Sequence, residues 1–220
     1  MRELKTVREV SEALKLHYGV DERWWPGESR LEIALGAILV QNTSWKNAAL
    51  AIKALKERNL IAVESLLQID ARSLSRVIRP AGFPERKART IKRFIRFLHE
   101  YCGGDTRSLA RIKDARELLL AIEGVGEETA DTILLFAADY PTFPASAYLV
   151  RVLARVGLAK RPYGAWRSLV MEALGNDAGA LKIFHAAVVS HAKSTCLKEP
   201  RCGDCPIIDL CKYGRGKLRS

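Results

Sequence analysis

Leu119-Leu120-Ala121-Ile122-Glu123-Gly124-Val125-Gly126-Glu127-Glu128-Thr129-Ala130-Asp131-Thr132-Ile133-Leu134 runs an apolar helix end into Gly-Val-Gly and opens a second helix at once. Glycine turns through φ > 0 without steric cost, so Gly124 and Gly126 are both expected to use that freedom. The amides of the turn, with the free N–H groups of the new helix, form a concave set of donors that suits a phosphate oxygen. The pattern reads as a helix-hairpin-helix, which grips a nucleic-acid backbone without reading its bases. A Gly-capped joint between two helices is the plainer alternative.

Charge agrees with a polyanionic partner. The 220 residues carry 36 Lys and Arg against 25 Asp and Glu, a net charge of +11. Nucleic acid fits first and an anionic membrane surface second. Hydrophobic residues make up 48% of the chain, enough for a sizeable core. No apolar run approaches the roughly 20 residues of a membrane span, and Met1-Arg2-Glu3-Leu4-Lys5 lacks a signal-peptide pattern. The expectation is a soluble, cytoplasmic protein.

Outward from the hairpin, the pattern is helical throughout. Leu4, Val7, Leu14 and Tyr18 lie at helical spacing before Gly19, and Leu31 to Val40 is almost wholly apolar. Thr43 or Ser44 is expected to cap the next helix and Asp70 a later one. Ala81-Gly82-Phe83-Pro84 makes a turn with an aromatic at its tip, followed by a helix from Glu85 to Tyr101 rich in Arg and Lys. Lone Cys102 is a small apolar filler. Further helices are expected from Tyr148 to Val156, Pro162 to Leu174 and Ala178 to Lys193, with His185 packed or hydrogen-bonded and the basic tail from Lys212 to Ser220 frayed. No stretch alternates with period 2. The class is therefore all-α.

Three clusters stand out chemically. Trp24-Trp25-Pro26 is either a plug between helices or an aromatic wall that stacks on a flat ligand. Gln41 and Asn42, at the joint after a buried helix, are either satisfied loop amides or groups that fill a gap in a base stack. Cys196-x5-Cys202-x2-Cys205-x5-Cys211 puts four thiols in one short loop. Thiolates select zinc or an iron–sulfur cluster. A single C-x2-C flanked by wide gaps favours a [4Fe–4S] cube over zinc, whose sites usually pair two such knuckles.

Hairpin and four-cysteine loop together resemble the endonuclease III superfamily of DNA glycosylases, over almost the whole chain. Trp24-Trp25-Pro26, Gln41-Asn42-Thr43-Ser44-Trp45 and Gly126-Glu127-Glu128-Thr129-Ala130-Asp131 resemble most the endonuclease III-related branch, which contains the 3-methyladenine glycosylase III type. The x5-x2-x5 cysteine spacing is similar to that branch, whereas endonuclease III itself has one residue more in the first gap. The resemblance implies two helical domains, a central one over 30–140 and a second joining 1–29 to 141–220 and holding the cluster. It implies a monomer that acts on double-stranded DNA containing a damaged base, in the nucleoid of a prokaryotic-type cell.

Site residues follow from the same resemblance. Trp24, Trp25, Pro26 and Trp45 would line the base pocket. Gln41 and Phe83 would enter the duplex, beside Asn42. Lys87, Arg89, Gly124, Val125, Gly126 and Thr129 would hold phosphates. Two positions depart from the family pattern. Where bifunctional members carry a nucleophilic lysine, this chain has Glu128, which removes Schiff-base chemistry. Where the family carries an aspartate, this chain has Ser146. Either the acid has moved to Glu128 or Glu127 and the protein excises an alkylated purine, or it binds damaged DNA without cutting it.

Overall fold

The computed structural model describes residues 1–219, and every regular element among them is helical. The chain forms two compact units, one made of residues 1–25 with 141–220 and the other of residues 26–140. The second is a single continuous segment set into the first.

In the inserted unit, α2 (Arg30–Leu39) is apolar on nearly every side because it packs against α3 (Trp45–Lys56), α6 (Pro84–Cys102) and the turn at 133–137 together. The Ser29 hydroxyl starts it by accepting from the Glu32 amide, and Ser44, one of the two expected caps, starts α3 by accepting from the Asn47 amide. Two short helices, α4 (Val63–Gln68) and α5 (Ala71–Val77, capped by Asp70), lie against α6. Lys92 of α6 gives its ammonium to the carbonyls of Leu66, Leu67 and Ile69 at 2.6–2.8 Å, closing the C-terminal end of α4. The hairpin consists of α7 (Ala115–Leu120) and α8 (Glu127–Thr132), and α8 widens at once into a π-turn at Ile133–Ala137.

In the other unit, α1 (Arg2–Tyr18) packs against α10 (Tyr163–Leu174) and α11 (Ala178–Ser194), and α9 (Ala147–Val156) packs against α11. Val7, Val10 and Leu14 are the buried stripe of α1, and Gly19 ends it in the left-handed region at φ 56°. Arg8 Nε donates to Ala173 O at 2.7 Å, fixing α1 to the end of α10. The tail is not frayed over the described residues. Lys212–Arg219 forms α12 against α9, and Ser220 lies outside the described residues. No helix among the described residues is long and apolar enough to cross a membrane.

Candidate functional site

The hairpin is built from internal polar contacts. Gly124 takes φ 93°, and a Cβ there would fall 2.0 Å from Thr90 Oγ1, so the position is closed to any side chain. Gly126 differs from expectation. Its φ is −94° and a Cβ would meet nothing within 4 Å, so only one of the two glycines uses the left-handed region. Thr90 of α6 donates to Glu123 O at 3.2 Å, and Arg93 pairs with Glu123 at 2.6 Å. The Val125 amide is turned inward to Ile122 O (2.9 Å), which removes it from the outward donors. The amides of Gly124 and Gly126 make no backbone bond among the described residues.

Two further contacts lock the turn. Asp131 of α8, with 0% exposure, takes both Nε (2.9 Å) and a terminal nitrogen (3.1 Å) of Arg116 on α7. The same guanidinium reaches Glu127 at 3.4 Å. Gln41 Nε2 donates to Gly124 O (3.0 Å) and to Thr129 Oγ1 (2.9 Å). Thr129 is itself buried, so its hydroxyl belongs to this contact and not to an outside phosphate. Asn42, beside Gln41, is exposed with φ 52°.

Glu128 is exposed at its side chain, yet the mass of protein around it removes enough water to raise its carboxyl above the usual range. Phe83 is held in the left-handed region at φ 48° and is 60% exposed, with Arg86 stacked on its ring at 5.1 Å. A non-glycine residue with φ > 0 and an aromatic ring in water is doubly unfavourable, a combination that points to use. Arg89 is exposed on the same helix.

Lys87 corrects the reading of that helix. It is 1% exposed, and its ammonium donates to Leu39 O (2.8 Å) and Ala81 O (2.7 Å), leaving it nothing to offer a phosphate. Burial pulls its basicity down to about 8. The spacing carried a signal, since Lys87 continues the stripe of Ile91, Phe94 and Leu98 that α6 turns to the core.

In the other unit, Trp24 and Trp25 meet edge to face at 6.4 Å, and His185 lies 6.2 Å from the first and 6.4 Å from the second. Phe143 completes the cluster, 5.8 Å from His185. Both tryptophans are half-buried. His185 is bonded to the Pro144 backbone, and burial holds it neutral with a pKa near 4. Ser146 is 3% exposed and accepts from the Leu149 amide as the cap of α9. Serine and aspartate are equally good caps, so Ser146 starts the helix without bringing a charge. Pro26 is exposed and Trp45 half-buried, both on the inserted unit.

The four thiols of Cys196, Cys202, Cys205 and Cys211 line one small cavity with His191 and Arg155. No three His, Cys, Asp or Glu side chains among the described residues converge closely enough to grip a single metal ion. Arg155 of α9 donates to Cys196 Sγ (3.2 Å), Leu197 O (2.6 Å) and Lys198 O (2.8 Å), while Arg151 holds Cys196 O and Ala192 O. His191 Nε2 lies 3.9 Å from Cys205 Sγ, and its Nδ1 lies 3.0 Å from Tyr18 Oη. Arg151, Arg155 and His191 carry no mark of this contact in the sequence, since nothing local ties α9 or α11 to the cysteine loop.

The model of the HhH-GPD superfamily of base excision DNA repair proteins matches residues 35–174. A Methanocaldococcus jannaschii protein whose name places it among DNA repair glycosylases is 40% identical over 201 residues, covering 89% of this chain and 91% of its own. The endonuclease III of Sulfolobus acidocaldarius is 31% identical over 182 residues, covering 81% and 80%. Among solved structures, a non-covalent endonuclease III–DNA complex superposes with a TM-score of 0.82 at 19% identity, covering 99% of each chain.

Proposed function

Because the chain belongs to the HhH-GPD superfamily of base excision DNA repair proteins, we propose that it is a monofunctional DNA glycosylase. It turns a damaged base out of double-stranded DNA and hydrolyses the N-glycosidic bond. The observation that carries this reading is Glu128. It is a carboxyl with a raised pKa, on the second residue of α8, in a hairpin that offers no lysine.

Bond cleavage builds positive charge on the sugar, and a nearby carboxylate stabilises it. Glu128 supplies that carboxylate. Glu127 is the weaker candidate because Arg116 already draws on it. With no amine at position 128, no Schiff base forms and strand cleavage by that route is absent. An alkylated purine leaves with its own positive charge neutralised, so its bond breaks with less help. This suits a chain whose Ser146 supplies no acid. The aromatic faces of Trp24 and Trp25 favour a flat cationic base over a neutral one.

The cysteine loop fits an iron–sulfur cluster. Four thiol donors around one cavity match the ligand set of a [4Fe–4S] cube. Cys196, Cys202, Cys205 and Cys211 would hold it, and Arg155 would lie against its Cys196 ligand. There the cluster supplies cross-linking of a short loop. The protein works as a cytoplasmic monomer.

Ser146 favours a second reading, recognition of damaged DNA without excision, since a capping serine carries no charge for the reaction. Free-base release from duplexes bearing a panel of lesions decides. The native protein is expected to release 3-methyladenine-type bases. Glu128→Gln should abolish release and retain binding. Binding with no release from any lesion installs the second reading.

A further inference from the structure

Buried lysines are costly, and Lys87 is placed where the cost is high. Its ammonium is out of water, and it sits in the first turn of α6, where the helix dipole disfavours a cation. A methionine would fill the same volume without a charge to satisfy. Lys87 therefore contributes something other than stability, and its bonds show what. Leu39 O ends α2, two residues before Gln41. Ala81 O ends the turn that leads into Phe83. The Lys87 amide also donates to Phe83 O at 3.1 Å. One residue thus ties together the Gln41 joint and the Phe83 turn, while Thr90, one turn along the same helix, ties on the hairpin at Glu123 O.

We propose that Lys87 is a positioning residue that fixes the Gln41 joint, whose amide holds the hairpin, and the Phe83 turn in one geometry, so that Phe83 enters the duplex beside a hairpin already held in place when a base is turned out. This rests on the reading of the protein as one that opens DNA at a lesion. Lys87 touches neither DNA nor the reacting bond. It holds the two loops, and Phe83 in its unfavourable backbone conformation, through α6.

The test uses full-length protein and a duplex carrying a tetrahydrofuran abasic analogue beside 2-aminopurine, whose fluorescence rises on unstacking. Native protein is expected to raise the signal and Phe83→Ala to lose it. Lys87→Met should cut the rise at least tenfold at saturation, with the salt slope of binding unchanged. If Phe83→Ala loses the rise and Lys87→Met keeps it, the proposal is overturned and the DNA-opening reading stands. If the native protein gives no rise, that reading fails. Hydrogen exchange without DNA then still decides the coupling. Lys87→Met should speed exchange of residues 40–44 and 81–83 together at least tenfold. Unchanged exchange in the two loops overturns the proposal. Should Lys87→Met not fold, Lys87→Gln, which keeps an N–H donor, takes both measurements, with intermediate loss expected and full retention overturning it.

Discussion

The hairpin and the cysteine loop are both short, polar and rich in special residues, but they are held by opposite means. The hairpin closes on itself. Arg116 and Asp131 join its two helices, Gln41 and Thr90 hold its carbonyls, and Gly124 lets it approach α6. The cysteine loop is held from outside by two arginines of α9, and its four thiols surround a space that they do not fill. A loop of the first kind is finished when the chain folds. On the reading proposed above, a loop of the second kind takes its order from the cluster that its thiols would hold.

Removing a cysteine should therefore give the largest effect. Cys202→Ser is expected to lower stability by about 4 kcal/mol or more, as loss of a bound metal group does. That corresponds to a fall in Tm of about 10 °C for a chain of this size. Purified native protein should be brown, and the variant should lose that absorbance near ~400 nm. Colourless native protein containing one zinc per chain would remove the cluster from this comparison.

Breaking the hairpin's own lock comes next. Arg116→Met removes the guanidinium that Asp131 holds at 0% exposure, an expected loss of about 3 kcal/mol by chemical denaturation. A change below ~1 kcal/mol would show that the pair does not close the hairpin. Gly124→Ala forces a Cβ against Thr90 and φ out of its region, for an expected loss of about 2 kcal/mol and weaker binding to every DNA sequence. Gly126→Ala, two residues away, should cost less than ~0.5 kcal/mol. Equal losses at the two glycines would contradict the backbone geometry.

Glu128→Gln should move stability least. Its folded carboxyl titrates above the unfolded one, so any stability it adds is present at acid pH and lost as pH rises. At pH 7 the ionised group slightly disfavours the fold, and the variant should melt no lower than the native protein. Base release by the native protein should fall with acid through a midpoint above the usual carboxylate range. A midpoint at or below that range would dissociate Glu128 from the chemistry.

Both regions were legible in the sequence, for different reasons. Gly-Val-Gly between apolar runs and the four spaced cysteines are local patterns that few structures satisfy. What holds each region was not legible. Arg116 and Asp131 are 15 residues apart, and Arg155 reaches the cysteine loop across 41. A cation's partner at such separation leaves no periodic trace. Lys87 is the instructive miss. The many arginines of α6 suggested a charged face, and one lysine was counted with them although its register belongs to the core. Trp24 and Trp25 pack with each other and with His185, a contact 160 residues away in the chain that leaves no local pattern. Ser146 could not be recognised as a cap until α9 was seen to begin after it.

The insertion of residues 26–140 into the other unit also sets an order of events during synthesis. Helix α1 leaves the ribosome first, yet the helices that cover Val7, Val10 and Leu14 are α10 and α11, complete only at Leu174 and Ser194. At about 5–20 residues per second, that apolar stripe waits roughly 8–30 s for its partners. The inserted unit can finish folding within that interval, because all of its chain is contiguous. The hairpin can therefore be complete before α11, the second cover of α1, has left the ribosome.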